Sequence, residues 1–205
     1  MFTITHFPRL IVYEQGLQLQ EQAVTALLSG CGGETILLLE HQPVYTIGRL
    51  RDTSSLRDPS SLPYPVHETN RGGQATYHGP GQIVGYPILD LTSRGKDLHA
   101  YLRKLEEALI RTCAHFGVNA SRREGFTGVW VEDRKLASIG VGVKKWISMH
   151  GFAINITTES LPPFSFITPC GLDQVRMTCL QNETTNSISI TSAIAAISHE
   201  LIEIL

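Results

Sequence analysis

The sequence lacks long apolar runs, and it has almost no excess of charge of one sign. No stretch of its 205 residues approaches the roughly 18 consecutive apolar residues that cross a bilayer. Lys plus Arg number 17 and Asp plus Glu number 19, which gives a net charge of −2. We therefore expect no membrane insertion and no binding to nucleic acid, because the latter requires a basic surface.

Targeting signals and cysteine patterns are also missing. Residues 1–8 have neither a basic segment followed by an apolar core nor the arginine-rich composition of a transit peptide. The four cysteines fit no zinc-binding or C-x-x-C spacing, and they are too sparse for a disulfide framework. We therefore expect a cytoplasmic protein with no metal site.

The length and composition predict one domain that spans residues 1–205. Hydrophobic residues make up 42% and charged residues 18% of the chain, a globular mixture. Predicted strands outnumber helices and several of them pair locally, so the fold class is α+β, with a mixed, largely antiparallel sheet and packed helices.

The hydrophobic pattern places the individual elements. Helices are predicted over 14–28, over 97–117 and from Thr191, the second with Asp97 as its cap and Gly117 as its stop. Strands are predicted over 35–39, 44–47, 83–91, 128–131, 135–143 and 146–156. Pro87 lacks an N–H group, so its strand is expected to be an edge strand or a bulged one. Residues 51–63 are interpreted as a polar surface loop.

Glycines are concentrated in one short segment. Five of the 18 glycines fall between Arg71 and Gly85, far more than an even spread would place there. Such clustering indicates that the backbone bends or approaches something closely. The segment is not a P-loop, since it lacks the G-K-[ST] ending. It either holds a ligand beside a cation, a phenol and an imidazole, or forms two tight turns around a hairpin in which hydrogen bonds satisfy His78.

Cys170 is the cysteine whose context favours chemistry. It stands between Pro169 and Gly171, so a defined turn could present its thiol to a cleft. A nucleophilic thiol needs a lowered pKa or an adjacent base, and His78, His150 and Lys135 are the available partners. The alternative is a small buried apolar residue, which is the interpretation for Cys31 and Cys113, while Cys179 is left undecided.

Small residues alternate along the predicted strand that begins at Lys135. Ser138, Gly140 and Gly142 lie on one face by the two-residue period of a strand. Their size leaves room for another backbone or an extended apolar chain, although strand glycines also mark close packing or a bulge. A lysine at the start of a strand is more often solvated than catalytic.

Taken together, the motifs resemble the lipoyl(octanoyl) transferase family. They occur in that family's order and spacing and span most of the chain. The motifs are Glu40-His41-x-Pro43-Val44-Tyr45-Thr46-x-Gly48-Arg49, Arg71-Gly72-Gly73-x-x-Thr76-Tyr77-His78-Gly79-Pro80-Gly81-Gln82, Lys135-x-x-Ser138-Ile139-Gly140, Met149-His150-Gly151-Phe152-Ala153-x-Asn155 and Pro169-Cys170-Gly171. The resemblance implies the catalytic-domain fold that biotin and lipoate protein ligases share. Gln42, where a second proline is common, and Glu132-Asp133-Arg134 before Lys135 depart from the pattern without removing a proposed catalytic group.

The resemblance also implies a reaction and its residues. An octanoyl group would move from acyl carrier protein to the ε-amine of a lysine on a lipoyl domain, either of a 2-oxoacid dehydrogenase complex or of glycine cleavage H protein. Cys170 would be the nucleophile that carries the acyl thioester, and Lys135 would lower the pKa of its thiol or act as its base. The residues implied to line the acyl site are Arg71, Gly72, Gly73, Gln74, Ala75, Thr76, Tyr77, His78, Ser138, Ile139, Gly140, Gly151, Phe152 and Ala153.

No cofactor is expected for this acyltransferase. Transfer between two thiols is nearly isoenergetic and transfer to an amine is downhill, so the reaction needs no ATP, in keeping with the missing phosphate loop. Three alternatives stay open. An ATP-dependent lipoate or biotin ligase would need no thiol nucleophile, a thiol hydrolase would pass the acyl group to water, and a binding module would form no covalent adduct.

Overall fold

A mixed β-sheet organises the chain, and a smaller sheet packs beside it. The computed structural model describes residues 1–168 and 175–205. The strands are β1 (Thr3–His6), β2 (Thr35–Leu39), β3 (Val44–Ile47), β4 (Val66–Glu68), β5 (Thr76–His78), β6 (Gln82–Ile88), β7 (Ser121–Arg123), β8 (Phe126–Val131), β9 (Arg134–Lys144), β10 (Ile147–Asn155) and β11 (Arg176–Met177). The helices are α1 (Tyr13–Leu28), α2 (Leu98–His115), α3 (Leu180–Glu183) and α4 (Ile190–Ile204).

The order of the strands confirms the predicted mixed sheet. The large sheet runs β1-β2-β6-β10-β9-β8-β7, with β11 paired to β9, and the small sheet runs β4-β3-β5. In the large sheet β1 pairs with β2, and β11 with β9, in the parallel sense. The remaining neighbours along the path are antiparallel. This is the mixed, largely antiparallel α+β fold that the sequence predicts.

Alternating apolar residues bury both faces of the large sheet. In β2, Ile36 and Leu38 join the cluster that contains the buried residues of α2 and α4. Leu37 and Leu39 of the same strand belong to a second cluster, against which Leu19 of α1 packs. Because side chains alternate along a strand, α2 and α4 cover one face, and α1 lies on the other. A strand buried on both faces reads as a continuous apolar run, as predicted for 35–39.

The ends of α2 follow from its sequence. The Asp97 carboxylate accepts a hydrogen bond of 2.9 Å from the Ala100 N–H, which satisfies one of the free N–H groups of the first turn. At the other end Gly117 adopts a φ of +74°, a left-handed conformation that favours glycine and stops the helix. Both signals were read from the sequence, and the structure confirms them.

The expectation that the strand with Pro87 is an edge strand or a bulged one is wrong on both counts. β6 lies inside the sheet between β2 and β10. Its ladder with β10 ends at the pair Gly85–Phe152 and returns as a bridge between Asp90 and Ile147 in unchanged register, which places Pro87 opposite His150. The ladder is interrupted where Pro87 has no N–H to donate, so the proline is accommodated inside the sheet without a register shift.

The loop over residues 51–63 lies outside the large sheet. Most of residues 51–63 are exposed, as predicted for a surface loop, but the loop contains short 3₁₀ turns at Ser54–Leu56 and Pro59–Ser61, and Leu56 is buried in the cluster of the small sheet. Across residues 1–168 and 175–205, the structure contains no helix with the length and apolarity required to cross a membrane.

Candidate active site

Three of the sequence motifs meet around one cavity, here called the main cavity. It encloses about 480 Å³ of space, which includes open solvent at its mouth, and the segment 71–78, the middle of β9 and the middle of β10 form most of its wall. The predicted acyl-site residues that line it are Arg71, Gly72, Gly73, Gln74, Ala75, Thr76, His78, Ser138, Ile139, Gly140, Gly151, Phe152 and Ala153. Segments far apart in sequence are thus brought together where the motifs predicted a binding site.

The main cavity has an open end and a closed end. At the open end Gly73 is exposed, and Gly72, Ile139 and Gly140 are half-buried. The side chains at the closed end are buried, and they are Tyr13, His78, Val84, Tyr86 and His150. A ligand would therefore enter beside β9 and extend towards the buried aromatic residues.

The small residues of β9 make room for backbone. A Cβ atom on Gly140 would lie 2.8 Å from the Gly72 carbonyl oxygen, and one on Gly142 would lie 3.3 Å from the Asn70 carbonyl oxygen. The Gly72 N–H donates a 2.9 Å hydrogen bond to the carbonyl oxygen of Val141. Of the alternatives that the sequence left open for these small residues, close approach of a second backbone is therefore confirmed.

The glycine-rich segment between Arg71 and Gly85 does not form the hairpin that the sequence left open as an alternative. That alternative is wrong, because β5 pairs with β3 in the small sheet and β6 belongs to the large one.

Hydrogen bonds from Arg71 connect β3 of the small sheet to the glycine-rich segment of the cavity. One terminal nitrogen of its guanidinium donates to the Thr46 carbonyl oxygen at 2.8 Å and to the Thr46 hydroxyl at 2.7 Å. The other donates to the Gly72 carbonyl oxygen at 3.0 Å. These bonds fix a buried positive charge at the cavity, where it holds the backbone of the 71–73 segment in place.

Tyr77 differs from its neighbours in the predicted acyl site. Side chains alternate along β5, so Thr76 and His78 line the main cavity while Tyr77 points the other way. Its ring packs 5.5 Å from that of Tyr45 and edge-on to that of Phe164, within the apolar cluster of the small sheet. Tyr77 therefore supports the wall from behind.

His78 is held in one tautomer by a chain of hydrogen bonds. Its Nδ1–H donates to the Gln82 side-chain oxygen at 2.8 Å, and the Thr46 hydroxyl points to its Nε2 at 3.5 Å. Burial, together with the charge of Arg71, holds the pKa of His78 well below its ordinary value. His78 is neutral near pH 7, as its interpretation as a satisfied residue predicts.

A second histidine, His41, contacts the closed end through a hydrogen bond to Tyr86. Its Nδ1–H donates to the Ile11 carbonyl oxygen at 2.9 Å, which leaves Nε2 to accept from the Tyr86 hydroxyl at 2.6 Å. Burial lowers the pKa of His41 to about 4 and raises the pKa of Tyr86 well above its usual range. The closed end is thus uncharged at neutral pH.

Lys135 lies in a neighbouring cavity, here called the lysine cavity. This cavity encloses about 1000 Å³ of space, which includes open solvent, and shares Gly72, Gly73, Ile139 and Gly140 with the main cavity. Lys135 is only 3% exposed, and its Nζ stands 5.2 Å from the centre of the buried Trp130 ring. A predominantly solvated lysine at the start of a strand is therefore the wrong interpretation for this residue.

Cys170, the proposed nucleophile, lies outside the described residues. The chain on both sides of the segment 169–174 is attached to the body of the protein. The Thr168 N–H donates to the Ser55 carbonyl oxygen at 2.7 Å, and the Thr178 N–H donates to the Lys135 carbonyl oxygen at 2.9 Å. β11 pairs directly with Arg134 and Lys135, so the chain that follows the segment runs along the start of β9.

The other cysteines divide into two groups. Cys113 and Cys179 are buried, and burial raises the pKa of the Cys113 thiol to about 12. The structure therefore confirms the interpretation of Cys113 as a small apolar residue and assigns Cys179 to the same group. For Cys31 that interpretation is wrong, because its side chain is exposed in the turn after α1.

One group of metal-ligating side chains lies apart from these cavities. Glu200 of α4 accepts hydrogen bonds from His115 Nε2 at 2.7 Å and from His199 Nδ1 at 3.1 Å. The three ligand atoms lie within 4.8 Å of one another. In the structure they form a hydrogen-bond network that connects the end of α2 to α4.

Four residues of the closed end are absent from the site that the motifs predict. Val84 and Tyr86 alternate on β6 with the same period that was applied to β9, so that strand pattern could have indicated them. For His150 the sequence indicates only a possible partnership with Cys170. Tyr13, at the start of α1, carries no signal in the sequence that would place it at the cavity.

Comparison with known proteins identifies the family. The model of the lipoyl protein ligase A/B catalytic domain matches residues 12–202. An octanoyltransferase of Geobacter sulfurreducens is 52% identical over 186 residues, which cover 91% of this chain and 77% of that protein. The chain belongs to the octanoyltransferase family. This confirms the resemblance read from the motifs, and it makes the chain an acyltransferase of a family that transfers octanoyl groups in protein lipoylation.

Solved structures share the fold of this chain. A lipoate-protein ligase A bound with ATP superimposes with a TM-score of 0.73 at 14% identity, over 98% of this chain and 83% of that one. The biotin protein ligase of Aquifex aeolicus gives a TM-score of 0.54 at 14% identity, over 99% and 68% of the two chains. The predicted fold of biotin and lipoate protein ligases is therefore confirmed.

Proposed function

We propose that residues 1–205 act as a single octanoyltransferase domain that takes octanoyl from acyl carrier protein and delivers it to lipoyl domains. The acceptor would be the ε-amine of a lysine on the lipoyl domain of a 2-oxoacid dehydrogenase complex or on glycine cleavage H protein. The observation that carries the proposal is the meeting of the three motif segments around the main cavity, with buried Lys135 in the cavity next to it. Membership in the octanoyltransferase family supports the acyl group and the reaction class.

In the first step the Cys170 thiolate attacks the carbonyl carbon of the donor thioester. A new carbon–sulfur bond forms to Cys170, the bond to the carrier's sulfur breaks, and the carrier leaves as a thiol after taking up a proton. In the second step the neutral acceptor amine attacks the acyl-enzyme. An amide forms, the bond to Cys170 breaks, and the proton of the amine passes to the departing sulfur.

Lys135 is the proposed partner of that sulfur. Its side chain is buried beside Trp130, where a positive charge acts through a medium of lower dielectric than water. A neighbouring ammonium would favour the thiolate, and a neutral amine would take the thiol proton. The pairing of β11 with Lys135 supports the proposal, since it keeps the chain that follows Cys170 beside the start of β9.

The octanoyl chain is proposed to occupy the main cavity. Its carbonyl end would lie near Gly72, Gly73 and Gly140, which both cavities share, and its methyl end would lie at the buried closed end. Phe152, Ala153 and Val84 provide apolar surface along the way. The Gly72 N–H already donates to Val141, so other backbone N–H groups of the glycine segment would stabilise the oxyanion of the tetrahedral intermediate.

Transfer from the carrier to an acceptor is the direct test. Purified protein is incubated with octanoyl-acyl carrier protein and a lipoyl domain without ATP, and the octanoylated lysine is measured by mass spectrometry. We expect one octanoyl group per acceptor domain, and no transfer by the Cys170→Ala variant. The Cys31→Ala variant, which removes an exposed thiol elsewhere, is the matched control and should transfer at the rate of the parent protein.

Three outcomes would overturn the proposal. ATP-dependent transfer of free octanoate that survives Cys170→Ala would indicate a ligase. Release of octanoate to water with no acceptor product would indicate a thiol hydrolase. Binding without turnover would indicate a non-catalytic module.

A further inference from the structure

A second cavity adjoins the closed end of the main cavity, on the other side of one residue. This outer cavity encloses about 1190 Å³ of space, which includes open solvent, and lies between α1, the segment 68–70 and the adjoining ends of β9 and β10. Among the described residues, His150 alone lines both cavities. Its side chain is 4% exposed, so it forms a wall between them.

The backbone of His150 is held in an unusual conformation by α1. Its φ is +55°, in the left-handed region that residues with a Cβ atom adopt only infrequently. Opposite it stands Pro87, which has no N–H, and the His150 N–H turns away from β6 to donate to the Gln20 side-chain oxygen at 2.7 Å. Gln20 therefore fixes the backbone of His150, and the His150 imidazole is the part of this group that separates the two cavities.

The wall is polar as well as closed. His150 Nδ1 and Gln20 Nε2 are buried, and neither has a hydrogen-bond partner within residues 1–168 and 175–205. Burial lowers the pKa of His150 to about 4, so the ring is neutral at physiological pH. An apolar chain that advanced against the His150 imidazole would offer its Nδ1 no hydrogen bond.

We propose that His150 limits the length of the acyl chain. Chains that end inside the main cavity bury their methyl group against Val84, Phe152 and Tyr86, and longer chains meet the imidazole before they can reach the outer cavity. This inference rests on the proposed function and deepens it, since it names the residue that selects the substrate. The open end of the cavity, at Gly73 and Gly140, faces the lysine cavity, so the acyl chain must point towards His150.

The His150→Gly variant tests the wall directly. Glycine suits a φ of +55°, so the substitution removes the imidazole without forcing the backbone to change. Removal of the imidazole is expected to join the main cavity to the outer cavity. The rates of transfer from octanoyl- and dodecanoyl-acyl carrier protein to a lipoyl domain are measured, and the ratio of the two kcat/KM values is compared between variant and parent. We expect the ratio to move at least about tenfold in favour of dodecanoyl, since each buried methylene contributes about fourfold in binding.

A matched control carries the same kind of backbone change elsewhere. Lys96 has a φ of +52° and is exposed in the turn before α2, so Lys96→Gly should leave the ratio as it is in the parent. His150→Asn keeps a polar residue that tolerates positive φ but shortens the side chain, and it should give an intermediate ratio. Binding of dodecanoate and octanoate by calorimetry reports on the cavity even where turnover is lost.

The outcomes separate this inference from the proposed function. A folded His150→Gly protein that transfers octanoyl yet gains neither turnover nor binding of the longer chain would overturn the wall at His150. A parent protein that transfers no acyl group from carrier to acceptor would overturn the proposed function itself. If the Lys96→Gly variant also moved the kcat/KM ratio in favour of dodecanoyl, that result would contradict the proposed role of His150 in limiting chain length.

Discussion

The Gly72 N–H donates a 2.9 Å hydrogen bond to the carbonyl oxygen of Val141. This bond lays the glycine-rich segment across β9, one residue beyond Gly140, and so fixes the open end of the main cavity. The contact depends on the absence of a side chain at position 140. A Cβ atom there would lie 2.8 Å from the Gly72 carbonyl oxygen, closer than such atoms approach in real proteins.

Gly140→Ala is therefore expected to damage function more than stability. The segment 71–73 must shift to admit the methyl group, and a displacement of about 1 Å at a reacting centre costs up to about 100-fold in rate. Overpacking of this kind costs about 1–3 kcal/mol of unfolding free energy. Octanoyl transfer and urea unfolding check the two effects. Gly33→Ala is the control, because a Cβ atom at position 33 meets nothing within 4 Å; equal losses of transfer in both variants would contradict this account of the site.

Replacement of Lys135 by methionine should change the reactivity of Cys170. Methionine keeps most of the buried apolar stem and removes the amine, so the thiol loses its proposed partner. In a Cys31→Ser background, the rate of alkylation of Cys170 by iodoacetamide is measured against pH, and the profile should move to higher pH. Lys144→Met, at an exposed position near the end of β9, should leave it in place. An unmoved profile in Lys135→Met would remove Lys135 from the proposed mechanism.

The buried histidines predict how stability depends on pH. In the unfolded chain His41 takes up a proton near its ordinary pKa of 6.5, whereas in the folded protein burial lowers that pKa to about 4. Because only the unfolded state binds the proton in this range, the unfolding free energy is highest above about pH 6.5. It falls as the pH drops towards 4, by up to about 3 kcal/mol for this group.

Urea unfolding between pH 7 and pH 4.5 measures that dependence. His41→Gln removes the titrating group, so its unfolding free energy should fall less steeply with decreasing pH than that of the parent, even if the variant is less stable throughout. The exposed His99 serves as the control position, and His99→Gln should keep the slope of the parent. An identical slope in all three proteins would show that His41 is not kept neutral by the fold.

Local signals in the sequence predict much of this fold. Asp97 and Gly117 define α2 because a cap and a left-handed glycine act within one or two turns of their own position. The apolar run 35–39 predicts a buried strand because continuous burial needs cover on both faces. In these places short-range physics decides the structure.

Contacts between distant residues account for the features in which the structure differs from the sequence prediction. Pro87 is accommodated inside the sheet because the opposite residue, His150, donates its N–H to Gln20. Gln20 belongs to α1, which begins more than 70 residues before Pro87. Tyr77 belongs to a motif but faces away from the cavity, since the direction of its side chain depends on pairing between β5 and β3. Neither relationship leaves a pattern within a single segment of the sequence.

A covalent octanoyl group on Cys170 is the central claim of the proposed mechanism. The most direct measurement is mass spectrometry of the intact protein, followed by peptide mapping, after incubation with octanoyl-acyl carrier protein and without an acceptor. The account predicts one octanoyl group, located on Cys170, which disappears when a lipoyl domain is added and appears on its lysine. Full transfer activity with Cys170 unmodified, or an octanoyl group located on Cys31 instead, would contradict it.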